Sequence, residues 1–191
     1  MTTQNEYIEV YAEATPNPET MKFVFNKMIA PGEAFDFPTP DNTHFSPLAK
    51  NLFEFNFVNG VFIMNNFVTI TRAAGSEWNE LIPIVKEFLK SYISSGEPVI
   101  IQKQTENSSK GKNLIEAQII EILDTYVKPA VETDGGMISF KSFEPETGKV
   151  VVELKGSCSG CPSSTVTLKR GIEGMLTKMV PDVKEVVAES L

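Results

Sequence analysis

The stretch from Lys103 to Asn113, reading KQTENSSKGKN, holds no aliphatic side chain and offers nothing to bury. Apolar periodicity resumes on both sides of it, so one continuous core cannot run through the chain. Each side must close a core of its own, with about 100 and about 80 residues available, enough for two small domains. The expected division is a domain at residues 1–104, a flexible linker at 105–112 and a second domain at 113–191. A tether of this kind lets one domain deliver something while the other docks.

Charge narrows the function classes. The net charge is −8, with 7 basic against 12 acidic residues up to position 105 and 10 against 13 beyond it. Neither half has the Lys and Arg surplus that general nucleic-acid binding needs to displace counterions. No apolar run approaches the roughly 18–20 residues that span a bilayer, so no membrane association is expected. Met1–Glu13 carries three glutamates and no Lys or Arg, unlike a secretory signal or an Arg-rich presequence. A presequence already removed would leave no trace, so the mature form of an organelle-imported protein stays open beside a cytoplasmic default. The two cysteines, Cys158 and Cys161, do not make the disulfide framework of a secreted domain.

The first domain reads as α+β. Ile8, Val10 and Ala12 alternate through Tyr7–Glu13, as Met21, Phe23 and Phe25 do through Met21–Phe25, which suits half-buried strands. Thr15-Pro16-Asn17-Pro18 between them is turn chemistry. Ser46 can cap a short helix with Pro47 at its first position and Leu48, Leu52 and Phe53 inward. Val61–Met64 and Phe67–Thr71, joined through Asn65-Asn66, read as a hairpin. Trp78, Leu81, Ile82, Val85, Phe88, Leu89 and Tyr92 recur at helical spacing until Gly96, and Pro83 requires that helix to begin just before it. Three or four antiparallel strands with two helices are expected.

The second domain is also α+β, in the order α-β-β-α-β, a compact two-layer design. Ile115, Ile119, Ile122 and Tyr126 form one helical stripe that Pro129 ends or kinks. Asp134-Gly135-Gly136 is a turn, since paired glycines allow backbone angles other residues resist. Met137–Phe143 and Val150–Lys155 are strands joined by Pro145-Glu146-Thr147-Gly148, with Val150, Val152 and Leu154 on one face. Leu168, Ile172, Met175 and Met179 mark a second helix stopped by Pro181, and Val183–Ala188 is a last strand.

Between strand end and helix start lies Lys155-Gly156-Ser157-Cys158-Ser159-Gly160-Cys161-Pro162-Ser163-Ser164. Two intervening residues let both sulfurs converge on one metal or on two irons of a cluster. Gly156 and Gly160 free amide groups to turn toward the sulfurs. Ser163 or Ser164 can cap the following helix, whose dipole favours thiolate at Cys161. Three readings compete. A thiol–disulfide redox pair is weakened by Pro162 standing after the second cysteine rather than between the two, and by the lack of a thioredoxin-like pattern nearby. Structural zinc wants four protein ligands, and the sole histidine, His44, lies in the other domain, so one chain cannot close the site except as a zinc-bridged interaction module. An iron–sulfur cluster also wants four thiolates, and two chains sharing one cluster across a two-fold axis supply two plus two. Spacing alone leaves [4Fe-4S] and [2Fe-2S] both open.

Val127-Lys128-Pro129-Ala130-Val131, Asp134-Gly135-Gly136 and the run Gly156 to Thr165 with Leu168-Lys169 beyond give the second domain a close resemblance to the NifU C-terminal domain of the Nfu iron–sulfur carrier family. The first domain resembles the Nfu N-terminal domain through Thr15-Pro16-Asn17-Pro18, Met21-Lys22-Phe23, Gly60-Val61-Phe62 and Phe67-Val68-Thr69-Ile70-Thr71, with Trp78 and Leu81 continuing it. The resemblance implies a [4Fe-4S] cluster bridging two subunits, with Cys158 and Cys161 as its only ligands from each chain. It further implies a homodimer when cluster-bound, an upstream assembly scaffold as donor and apo iron–sulfur proteins as clients. The cysteine-rich and scaffold domains of full nitrogenase-type NifU proteins are not among these residues, which favours a late-acting carrier.

Other residues have plainer readings. His44 sits in a loop-like stretch with no second ligand nearby. Met175 and Met179 fit a core stripe, Asp134 a turn, and Trp78, Phe88 and Tyr92 ordinary packing. Phe53, Phe55, Phe57 and Phe62 read as core rather than as a partner-binding patch. No phosphate loop, Gly-x-Ser-x-Gly elbow or His-Glu-x-x-His helix is present, and enzymatic activity is not expected.

Overall fold

The computed structural model describes residues 7–101, 114–158 and 162–190, with the side chains of 162–165 and 190 left aside. The expected linker at 105–112, and Ser159, Gly160 and Cys161, lie outside the described residues. Two compact units result, within Met1–Gln104 and Thr105–Leu191.

In the first unit, β1 (Val10–Ala14), β2 (Thr20–Phe25), β3 (Ala30–Phe37), β4 (Val58–Asn65) and β5 (Phe67–Arg72) form one antiparallel sheet in the order β1-β2-β5-β4-β3. A 3-10 helix (Pro40–Phe45), α1 (Pro47–Leu52) and α2 (Trp78–Ser95) accompany it. Period-two alternation sends Phe23 and Phe25 of β2, Val61 and Ile63 of β4, and Val68 and Ile70 of β5 into one core. Leu48, Leu52, Val85 and Leu89 of the helices close that core. Ser46 caps α1, its hydroxyl accepting from the Ala49 amide. Met64 faces Phe67 across the Asn65-Asn66 turn, as the hairpin spacing requires. Phe62 is buried, and Phe53, Phe55 and Phe57 pack partly buried against the core.

Two expectations fail here. The sheet has five strands rather than three or four, because β3 was not foreseen. Its Pro31-Gly32 pair and the register shift between Ala30 and Ala34 break the alternation that sequence reading relies on. An edge position tolerates both, since one side of the strand needs no ladder. The second failure is the start of α2, which begins at Trp78 and carries Pro83 inside it. Pro83 lies on the exposed face, where a carbonyl left without its amide donor can turn to water. Trp78 anchors the helix start, its indole N–H donating to the Pro18 carbonyl at 3.0 Å and its ring meeting Phe23 edge-on.

The second unit runs α3 (Leu114–Ile122), a π turn (Leu123–Val127), α4 (Lys128–Thr133), β6 (Gly136–Glu144), β7 (Lys149–Gly156), α5 (Pro162–Met179) and β8 (Glu185–Ser190). Its three-stranded sheet has the order β6-β7-β8, antiparallel between β6 and β7 and parallel between β7 and β8. A parallel neighbour requires a crossover, and α5 supplies it. Val150, Val152 and Leu154 of central β7 are fully buried, meeting Ile138 of β6, Val186 of β8, and Ile119, Ile172 and Leu176 of the helices.

Pro129 does not end the first helix. The Lys128 amide reaches back five residues to the Leu123 carbonyl, and this wider turn carries the chain past the proline into α4. The turn also rotates the apolar stripe: Leu123 and Val127 go inward, while Tyr126, expected inside, is 56% exposed. On α5 the inward positions are Ile172 and Leu176, with Leu168 and Met175 only partly buried and Met179 exposed, against the expected stripe. Because α5 already includes Pro162 at its start, Ser163 and Ser164 fall inside its first turn rather than at the cap position.

Candidate metal centre

Central strand β7 delivers the first cysteine. Its residues alternate strictly between partly exposed and buried up to Gly156. There a backbone φ of +70° turns the chain out of the sheet, a conformation that L side chains resist. Ser157 and Cys158 follow at once, both buried, with Cys158 at 8% exposure in contact with the unit's core cluster.

The Asp134–Gly136 turn lies against this strand end. Gly136 pairs with Gly156 at the close of the β6–β7 ladder. Ser157 straps the two together: its amide donates to the Gly135 carbonyl at 3.3 Å, and its hydroxyl donates to the Asp134 carbonyl. The two glycines of the turn serve different ends. Gly135 has φ +81°, so it supplies the backbone angle expected of the pair. Gly136 supplies space: a Cβ there would stand 2.7 Å from the Lys155 carbonyl oxygen and 2.9 Å from the Cys158 sulfur. The sulfur therefore occupies a niche that exists only because position 136 lacks a side chain.

Burial pushes the Cys158 thiol above its ordinary value, the Ser157 hydroxyl at 3.9 Å pulls it partly back, and the Asp134 carboxylate adds to the rise. The shift of Cys158 thus runs toward the neutral thiol, opposite in direction to the dipole effect expected at Cys161. A metal that binds this sulfur must displace the proton. The residues fit that use, since a strand-end sulfur held by Gly136 and Ser157 is a soft donor with fixed orientation. Cys161, expected from the sequence as the second donor, lies outside the described residues.

Among the described residues, no three His, Cys, Asp or Glu side chains gather to hold a metal ion. His44 lies in the 3-10 helix of the first unit with its ring edge against Phe45 at 5.2 Å. Asp134 ends α4, and its backbone does the work of the turn. Sequence reading missed Ser157 and the spatial role of Gly136. Both were inside recognised motifs, but the pairing of Gly136 with Gly156 is a fact of register that composition does not carry.

What the fold and this corner define is a two-unit α+β protein whose second unit presents a cysteine at a strand-to-helix loop. Residues 10–96 match the family model described as scaffold protein Nfu/NifU N terminal, and residues 119–187 match that of the NifU-like domain. The chain is 37% identical over 191 residues to "NifU-like protein 4, mitochondrial" of Arabidopsis thaliana, covering 97% of this chain and 68% of that protein. It is likewise 37% identical over 183 residues to "NFU1 iron-sulfur cluster scaffold homolog, mitochondrial" of Homo sapiens, covering 94% and 71%. The chain belongs to the Nfu/NifU-like scaffold family. The names of these relatives place them in mitochondria and give the cytoplasmic expectation no support. Among the described residues no helix is long and apolar enough to cross a membrane.

Proposed function

We propose that this protein is an iron–sulfur cluster carrier that holds a [4Fe-4S] cluster between two copies through Cys158 and Cys161 and passes it to apo-proteins. Family membership gives iron–sulfur cargo its support, since a relative 37% identical over most of the chain is named an iron–sulfur cluster scaffold. The single structural observation behind the reading is the niche of Cys158, whose sulfur rests on the bare backbone of Gly136 at the mouth of the Cys-x-x-Cys loop. The four-thiolate requirement then sets the stoichiometry at two chains per cluster. Transfer is ligand exchange, in which client thiolates replace those of Cys158 and Cys161, so the protein acts as a carrier and not as an enzyme. An upstream scaffold supplies the cluster. A reducing compartment, mitochondrial matrix or cytosol, satisfies the chemistry because both keep thiols reduced.

The test is iron, zinc and acid-labile sulfide per chain on anaerobically purified protein, with solution mass on the same sample. About two irons and two sulfides per chain in a dimer is the expected result for one [4Fe-4S] cluster on four thiolates. Cys158→Ser and Cys161→Ser should each abolish cluster binding while leaving the far-ultraviolet circular dichroism unchanged. Zinc without sulfide, even after anaerobic reconstitution, would overturn the reading.

A further inference from the structure

The two sheets present four edge strands among the described residues, and three of them are blocked. β3 carries Pro31 and a register shift next to it. β6 is interrupted by a register shift between Phe140 and Ser142, with Lys141 at the break. On β8 the Val186 amide is occupied by the Glu173 carboxylate at 3.0 Å. Such devices keep a further strand from pairing. β1 has none of them: Val10-Tyr11-Ala12-Glu13-Ala14 contains no proline, no lysine and no bulge against β2. The Asn26 amide donates to the Glu9 carbonyl, so Glu9 faces β2, and by alternation Tyr11 and Glu13 do too. The backbone amides and carbonyls of Val10, Ala12 and Ala14 therefore point away from the sheet.

Beside this edge lies a groove between β1 and α2, lined by Tyr7, Val10 and Tyr11 on one side and by Ile82, Lys86 and Lys90 on the other. α2 runs antiparallel to β1. Near its start the Trp78 ring meets Phe23, the partner of Ala12, and near its end the Lys90 ammonium lies over the Tyr7 ring at 5.3 Å. Ile82, Lys86 and Lys90 follow one another at four-residue steps along one flank of the helix. Each step advances about 6 Å, close to the roughly 6.8 Å between alternate residues of a strand. Lys86 is half-buried, and among the described residues no carboxylate pairs with it or with Lys90. Two carboxylates also line the groove: Glu9 accepts the Tyr11 hydroxyl, and Glu87 is exposed.

We propose that this edge takes up an extended acidic segment of another protein as a further strand antiparallel to β1, its carboxylates directed at Lys86 and Lys90. The open backbone groups demand an extended partner, since only a strand can answer them in series. Val10 and Ala12 pack toward the core that α2 helps to close, so segment residues paired with them send their side chains to the same face, against the flank of α2. A segment antiparallel to β1 meets Ile82 first, then Lys86, then Lys90. The pattern selected is apolar-x-acidic-x-acidic. A second copy of β1 does not supply it, because on that face it brings Val10, Ala12 and Ala14 and leaves both lysines without a carboxylate. The pairing belongs to the first unit and needs no metal, so it stands or falls independently of the carrier function.

Nuclear magnetic resonance on isotope-labelled, metal-free, full-length protein tests it, with the peptide Thr-Val-Thr-Glu-Thr-Glu-Thr as probe. Without peptide the Ala12 and Ala14 amide protons should exchange quickly and those of Tyr11 and Glu13 slowly. Peptide should shift the Ala12 amide resonance and slow its exchange. Changing both lysines together, Lys86→Met with Lys90→Met, should weaken binding roughly 2- to 30-fold. Methyl groups on the backbone nitrogens of the valine and the first glutamate of the peptide should abolish it, because those amides donate to β1. No shift at millimolar peptide overturns the proposal. So does an unchanged affinity in the double methionine variant, for the methylated peptide, or for a peptide with lysine at both glutamate positions. Protection of the Ala12 amide that grows with protein concentration in the absence of peptide would give the edge to a second copy and overturn the proposal equally.

Discussion

Replacing Gly136 by alanine adds one methyl group at the most crowded point of the second unit. Its carbon would stand 2.7 Å from the Lys155 carbonyl oxygen, 2.9 Å from the Cys158 sulfur and 3.3 Å from the Cys158 Cβ. Non-bonded carbon atoms prefer about 3.5–4.0 Å, so the neighbours must give way by on the order of 0.5 Å or more. The Lys155 carbonyl is backbone of the central strand and can retreat only by opening the end of the β6–β7 ladder. The sulfur can move, and in moving it leaves the position from which it would bind metal. Overpacking of this kind costs about 1–3 kcal/mol, which lowers the Tm of a unit this size by roughly 4–20 °C. Thermal and urea unfolding, read beside iron and sulfide content after anaerobic reconstitution, measure the two consequences separately. Gly174→Ala is the control: a methyl there meets nothing within 4 Å, and in a helix interior it should add about 0.8–1 kcal/mol of stability. If Gly136→Ala unfolds at the wild-type midpoint and keeps its full complement of iron and sulfide, the niche does not hold Cys158 and the reasoning is refuted.

Two further outcomes follow from the same corner of the molecule. Because burial raises the Cys158 thiol, alkylation of Cys158 in the metal-free protein should be slow at pH 7 and climb about tenfold per pH unit through the ordinary thiol range near 8.5. The sign for stability is fixed by the same shift: the folded state holds the proton more tightly than the unfolded state. The contribution of Cys158 is therefore fully present below about pH 8.5 and lost as pH rises toward the folded value. A Cys158 that alkylates at pH 7 as fast as a free thiol would contradict the buried placement. Ser157→Ala removes the hydroxyl that donates to the Asp134 carbonyl and should cost about 1–3 kcal/mol by leaving that acceptor unpaired. Urea denaturation reads this directly, and an unchanged midpoint would mean that the turn does not depend on Ser157.

The sequence determined those features whose cause is local. The polar run after Lys103 forces two cores, since a segment without apolar side chains cannot carry one across. Alternation at Met21–Phe25 and Val150–Leu154 gives strands, and Ser46-Pro47 gives a helix start, because each depends on a residue's own geometry and that of its near neighbours. The Cys158–Cys161 spacing likewise states which two donors one chain can offer. Tertiary structure decided what depends on the partner of a residue. Nothing local tells that β7 pairs parallel with β8, that a π turn lets the helix pass Pro129 and sends Tyr126 outward, or that Pro31 is tolerated in β3 because its strand is an edge. The same holds for the site. Gly136 reads as half of a turn in the sequence, yet ladder register brings it against Cys158, and only there does the absence of a side chain become the condition for a place for the sulfur.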